Sequence, residues 1–135
     1  MSDCCGTTSK KRIILACSGA ADVGALADRT ARALAKDGKG SLFCLAAVGA
    51  KVEGKLKEFM SADEIITIDG CSVGCAKTMA VNAGRTPLAF DLGALGYAKG
   101  KTPVLDDVVC EASSTIALKL GGTAPGQTAV SGCCS

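Results

Sequence analysis

Cysteine is the residue type with the most reactive chemistry in this chain. The 135 residues include nine cysteines and no histidine. Without an imidazole, the chain cannot build a Ser-His-Asp triad, a Cys-His pair or a histidine-bearing metal site. Thiolates remain available as nucleophiles, as redox groups and as ligands for zinc and softer metals. The composition therefore predicts sulfur chemistry.

Cys71 and Cys75 form the most specific local pattern. They lie four residues apart, where a predicted strand at 64–69 leads into a predicted helix at 76–83. A helix N-terminus presents unpaired N–H groups and the positive end of the helix dipole, and both stabilise a thiolate. A tetrahedral zinc site holds each sulfur about 2.3 Å from the metal, which two cysteines one helical turn apart can satisfy. The remaining ligands must then come from elsewhere in the chain.

The spacing of three cysteines indicates where those ligands lie. Cys17, Cys44 and Cys71 are separated by equal intervals of 27 residues, and each falls near the end of a predicted strand. Neighbouring strands lie about 4.8 Å apart, so the three thiols are expected within about 10 Å of one another. They would meet at the edge where open α/β sheets bind ligands. With Cys75 they make a four-sulfur set.

Strand and helix patterns alternate along the chain. Apolar runs predict strands at 11–17, 41–46, 64–69 and 87–92. Helices are predicted between 22 and 38, at 51–60, at 76–83, and from 102 to about 120, with Asp22 as an N-cap and Pro103 at a first helical position. This alternation predicts a single small, Rossmann-like, three-layer α/β domain with a mostly parallel sheet of about four strands and helices on both faces.

The domain is expected to span residues 11–122. Flexible tails are predicted at 1–10 and 123–135, each with an adjacent cysteine pair. A net charge of +2 predicts neither a nucleic-acid partner nor an anionic membrane surface. No secretory signal and no apolar run of about 20 residues is visible, so a cytoplasmic protein is expected, with cysteines that bind metal or are redox-active.

Three stretches of the chain resemble a known family. They are LACSGAADVG at 15–24, CLAAVG at 44–49 and IDGCSVGCAK at 68–77. The chain resembles the DGC-domain family, which is described as zinc-binding and is named for an Asp-Gly-Cys motif, here Asp69-Gly70-Cys71. The resemblance extends from about Ile13 to Leu120 and implies no assigned activity. It implies the same four chelating residues, Cys17, Cys44, Cys71 and Cys75.

The functional prediction is a zinc-binding protein with four thiolate ligands at the carboxyl edge of the sheet and a role in metal handling. Four ligands close the site as a structural or carrier site, whereas three leave a position for Lewis-acid catalysis, so enzymatic activity stays open. The alternative is a thiol–disulfide enzyme that uses Cys71 with Cys75 or Cys17. An iron–sulfur cluster or another soft metal on the same sulfurs is a further alternative. No role is assigned to the other five cysteines: Cys4, Cys5, Cys110, Cys133 and Cys134.

Carboxylates also fall at the predicted strand ends. Asp22, Asp69 and Asp91 are interpreted as helix caps, turn residues or acceptors beside the cysteines, with capping favoured for Asp22. Lys77 is interpreted as a solvated helix lysine, although its charge would offset part of the charge of a four-thiolate centre.

Overall fold

The computed structural model describes residues 10–121, whose four strands form one parallel sheet. The strands are β1 Arg12–Ala16, β2 Ser41–Leu42, β3 Glu64–Asp69 and β4 Leu88–Asp91. Their spatial order is β2-β1-β3-β4. The chain therefore steps from β1 to β2 on one side and returns to β3 on the other. This reversal makes a topological switch point between β1 and β3, where doubly wound folds bind their ligands.

Within the same described residues, five helices cover both faces of the sheet. They are α1 Asp22–Lys36, α2 Leu45–Gly49, α3 Glu53–Met60, α4 Cys75–Asn82 and α5 Asp106–Lys119. Ile14 of β1 packs among buried residues of α1 and α5, whereas its neighbour Ile13 packs among those of α2, α3 and α4. Successive side chains of a strand point to opposite faces, so both faces of the central strands are buried. The predicted three-layer α/β class is confirmed.

Several element bounds differ from the predictions. The predicted strand 41–46 ends at Leu42, and Cys44 is instead the N-cap of α2, a short helix that the sequence did not indicate. Helix α5 begins at Asp106 rather than at Pro103. The backbone before it bonds to α1 instead, because the Arg29 guanidinium donates to the Val104 carbonyl oxygen at 3.0 Å and pairs with Asp106.

Asp22 has a different role from the predicted N-cap. Ala21 is the N-cap of α1, and Asp22 is its first helical residue. The Asp22 carboxylate accepts hydrogen bonds from the backbone N–H of Gly100 at 2.9 Å and of Thr102 at 3.0 Å. These two donors hold the pKa of Asp22 below its ordinary value. Asp22 therefore ties the segment before α5 to the start of α1.

The end of α1 follows the sequence pattern. Asp37 is the C-cap and Gly38 adopts a left-handed conformation, with φ at 76°. Glycine is favoured at this position because it has no Cβ to clash. The predicted stop at Gly38 is confirmed.

The predicted tails fall outside the described residues, apart from Lys10, so their flexibility and the domain limits stay predictions. The same holds for their cysteines: Cys4, Cys5, Cys133 and Cys134. Within residues 10–121, none of the helices combines the length and apolar character that crossing a membrane requires.

Replacement of Asp22 by alanine, Asp22→Ala, is expected to lower the urea midpoint of unfolding at neutral pH. The folded-state pKa of Asp22 lies below the ordinary value of 3.8, so its stabilising contribution is complete above that value. That contribution disappears as the pH falls through the lowered pKa. The difference in midpoint between wild type and Asp22→Ala is therefore expected to be largest near pH 7 and to vanish in acid.

Asp37→Ala is the matched control, because Asp37 is exposed at the other end of the same helix. Its midpoint at neutral pH is expected to stay at or above that of wild type, since a carboxylate at a helix C-terminus is unfavourable. Equal losses in the two variants would contradict the assigned role of Asp22.

Candidate metal centre

The four candidate cysteines lie on the segments that follow the strands. Cys17 directly follows β1, Cys44 comes two residues after β2, and Cys71 comes two residues after β3. Cys75 is the first residue of α4. Because the carboxyl ends of parallel strands meet at the same edge of a sheet, all four cysteines belong to the edge that contains the switch point.

Cys17 is held at the switch point by two hydrogen bonds to the segment of β3. Its backbone N–H donates to the Ile68 carbonyl oxygen at 3.1 Å, which continues the pairing of β1 with β3. Its Sγ accepts the backbone N–H of Gly70 at 3.3 Å. A backbone N–H is a good partner for a negatively charged sulfur. The sulfur of Cys17 therefore lies beside the backbone of the residue that precedes Cys71.

Gly70 allows a close approach between two backbone segments. A Cβ at this position would lie 2.6 Å from the carbonyl carbon and oxygen of Val23, near the start of α1. A Cβ on Gly24 would likewise lie 2.6 Å from the carbonyl oxygen of Gly19. These contacts involve backbone atoms, which have little freedom to move aside. The loops that carry Cys17 and Cys71 are thus packed onto α1 through glycine backbones.

Asp69 organises the start of α4. Its side chain is buried, with 3% exposure. Its two carboxylate oxygens accept the backbone N–H of Ala76 at 2.7 Å and of Lys77 at 3.0 Å. The sequence pattern predicted that N–H groups at this helix N-terminus would stabilise a thiolate. Two of those N–H groups are instead bonded to the Asp69 carboxylate.

Asp91 is a turn residue. Its carboxylate accepts the Gly93 backbone N–H at 2.8 Å, two residues further on. Lys77 is exposed, as expected for a solvated helix lysine.

Two clefts divide the cysteines at this edge. The larger, of about 600 Å³, is lined by both Cys17 and Cys44. The smaller, of about 360 Å³, is lined by Cys71 together with Tyr97 and Lys99. Cys75 is exposed and lines neither of them. Within residues 10–121, no three Cys, Asp or Glu side chains are grouped so as to hold a metal ion. Binding of one metal ion by all four thiols would therefore require the segments that carry these cysteines to move closer together.

Sequence reasoning missed three residues of the larger cleft. Asp28 and Arg32, on successive turns of α1, form an ion pair at 2.8 Å that raises the pKa of Arg32. Met79 reaches the same cleft from α4. Met79 lies four residues after Cys75, which places both residues on one face of α4. This spacing is the signal in the sequence that could have identified Met79. Cys110 is half-buried on α5 and lines neither cleft.

Tyr97 is a further residue that sequence reasoning did not place near the cysteines. It lines the cleft of Cys71, and burial, with a smaller effect of Glu111, raises the pKa of its phenol.

The fold and the site together define a small doubly wound α/β protein with cysteines at the carboxyl edge of its sheet. The family model of the DGC domain matches residues 13–117, and the chain belongs to the DGC domain family. The comparisons with curated proteins and with solved structures found no significant match. Membership confirms the resemblance seen in the sequence, and it fits a cysteine-containing, metal-binding protein.

Gly70→Ala is expected to destabilise the protein by about 1–3 kcal/mol or more, because the added Cβ would overlap backbone atoms of Val23. Gly19→Ala is the matched control, since a Cβ there would meet no atom within 4 Å. Its effect is expected to stay within about 0.5 kcal/mol. Urea unfolding of both variants measures the difference. Equal free energies of unfolding would show that the loop does not depend on the close approach at Gly70.

Asp69→Ala is expected to lower the free energy of unfolding by about 1–2 kcal/mol, as loss of a helix cap does. Two N–H groups at the start of α4 lose their acceptor, so hydrogen exchange is expected to accelerate at Ala76 and Lys77. Asp91→Ala serves as the control, because Asp91 bonds to Gly93 and not to α4. Unchanged exchange at both α4 amides in Asp69→Ala would contradict the capping role.

Proposed function

We propose that this protein binds zinc through the thiolates of Cys17, Cys44, Cys71 and Cys75 and takes part in metal handling. The observation that carries the proposal is the placement of these residues. All four follow parallel strands at one sheet edge, and the Cys17 sulfur is hydrogen-bonded to Gly70, the residue before Cys71.

The donor chemistry of this edge supports a thiolate ligand set. The chain contains no histidine. The buried carboxylate of Asp69 is engaged with two backbone donors, and Asp91 is engaged in a turn. The cysteine sulfurs remain, and zinc is the metal most often held by four of them.

The protein's own residues prepare part of this site before a metal arrives. The Gly70 N–H orients the Cys17 sulfur beside the segment of Cys71, and Asp69 fixes the first turn of α4, where Cys75 lies. Cys44 and Cys75 are exposed, so their thiols approach from the periphery. Each thiol loses its proton when it binds a metal, which makes the affinity dependent on pH.

Bound zinc would crosslink the segments after β1, β2 and β3 and so add to the stability of the fold. A ligand that binds only the folded state stabilises it according to its concentration and affinity. With four thiolates engaged, no coordination position stays open for a substrate, which favours a carrier or structural role over catalysis.

The zinc prediction is tested on the full untagged chain, purified without oxygen. About one zinc per chain is expected, with roughly four thiols that react with a thiol reagent only after chelation. Single substitutions to serine at Cys17, Cys44, Cys71 or Cys75 are expected to lower the zinc content. Elemental mass spectrometry and thiol titration give the two readouts.

Cys110→Ser is the matched control, because Cys110 lies on α5 and lines neither cleft. Its zinc content is expected to equal that of wild type. Zinc that is lost only on changing Cys4, Cys5, Cys133 and Cys134 would place the metal on the tails and overturn the proposal. Metal-free protein with thiols that oxidise reversibly in pairs would instead support the thiol–disulfide alternative, and a brown iron-containing protein the cluster.

A further inference from the structure

We propose that the larger cleft binds Cu(I) through the thiolates of Cys17 and Cys44 and the thioether of Met79. This inference shares two thiols with the proposed zinc site but does not require zinc to bind. It names a soft monovalent cation as the ligand and assigns a role to a methionine outside the four-cysteine pattern.

The structure brings three sulfur-bearing side chains to one cleft from three different elements. Cys17 follows β1, Cys44 is the N-cap of α2, and Met79 lies on α4, yet all three line the same cleft of about 600 Å³. The cleft is therefore richer in sulfur than the sequence spacing alone indicates. Two cysteines and a methionine form an all-sulfur donor set. The side-chain oxygens on the same lining belong to Ser18 and Asp28, and the Ser18 hydroxyl is bonded to the Asp28 carboxylate, which also pairs with Arg32.

Gly49 makes room for the thioether. A Cβ on this residue, the last of α2, would lie 2.9 Å from Sδ and 3.0 Å from Cε of Met79. The Met79 thioether therefore packs against the last residue of α2, at the end of that helix opposite to its N-cap Cys44. Any larger residue at position 49 would displace the sulfur.

The chemistry of these donors selects a soft ion. Thiolate and thioether sulfur together favour Cu(I), whereas zinc is held in proteins by thiolate, imidazole and carboxylate groups. Binding of one Cu⁺ converts two thiols into thiolates and releases two protons to the solvent, and the thioether gives up no proton. The resulting complex carries a charge of −1, with no change of oxidation state.

The remaining walls of the cleft suit such a complex. Arg32 supplies a positive charge on the same lining, although it is ion-paired with Asp28. The apolar part of the lining lies beside the sulfurs and consists of Ala16, Leu42, Phe43, Leu45 and Ala46. The cleft is open to solvent at the exposed Cys44, so an ion can enter from that side.

The first test uses NMR of the full chain labelled with ¹³C at the methionine methyl groups. The four tail cysteines are changed to serine to remove competing thiols, and Ag(I) serves as a redox-inert substitute for Cu(I). The chain has three methionines, so the methyl signals can be assigned by substitution. The Met79 methyl signal is expected to shift at one equivalent of Ag(I). Met60, which is 44% exposed at the end of α3, is the internal control and is expected to stay unchanged.

The second test compares affinities in the same background. Met79→Leu keeps a helix-compatible side chain of similar size. It is expected to weaken Cu(I) binding at least about tenfold, as loss of a group that supports a metal site does. Zinc affinity is expected to change less than twofold, and Met60→Leu is expected to alter neither. Competition with bicinchoninate measures Cu(I) and competition with a zinc indicator measures zinc, both without oxygen.

The outcomes separate this inference from the proposed function. A protein that binds Cu(I) in a Met79-dependent manner but no zinc would overturn only the zinc proposal. An unshifted Met79 methyl signal at one equivalent of Ag(I) would overturn the inference, as would equal weakening of both metals by Met79→Leu. The NMR test leaves Met79 unaltered, so it stays decisive even if Met79→Leu fails to fold.

Discussion

The close packing of glycine backbones at the switch point is the constraint on which the rest of this site depends. Gly70 lies against the carbonyl of Val23, and Gly24 lies against Gly19. Only residues without a Cβ permit this approach, because the atoms on the other side are backbone atoms. The packing brings the segment after β3 onto the start of α1, and from there the Gly70 N–H reaches the sulfur of Cys17.

Asp69 connects this packing to the chemistry of the cysteines. As the last residue of β3 it is buried, and its carboxylate bonds to the first turn of α4. The same interaction places Cys75 and removes helix N-terminal donors that a thiolate would otherwise use. Each residue of the Asp-Gly-Cys motif thus has a separate physical role. Asp69 caps helix α4, Gly70 allows the close approach to the backbone of Val23, and Cys71 lines the smaller cleft.

The division of the cysteines between two clefts shapes the metal chemistry that the edge can support. Cys17 and Cys44 already share one cleft with Met79, whereas a four-thiolate centre requires movement of the segments that carry Cys71 and Cys75. Metal binding would then be coupled to local ordering. Equal spacing along the chain predicted one cluster. In the structure Cys17 and Cys44 line one cleft and Cys71 lines another, while Asp69 and Gly70 hold in place the segment that joins β3 to α4.

Local signals in the sequence determined the parallel α/β class, strand β3 and the stop of α1 before Gly38. They also limited the chemistry to sulfur, since these properties depend on residue type and on short spacings. Only the tertiary structure decided the short β2, the late start of α5 and the cleft that unites Cys17, Cys44 and Met79. These features depend on contacts between residues far apart in sequence, such as Asp22 and Thr102, which are 80 positions apart. No local pattern encodes such a contact, because its geometry exists only after the sheet and helices have packed.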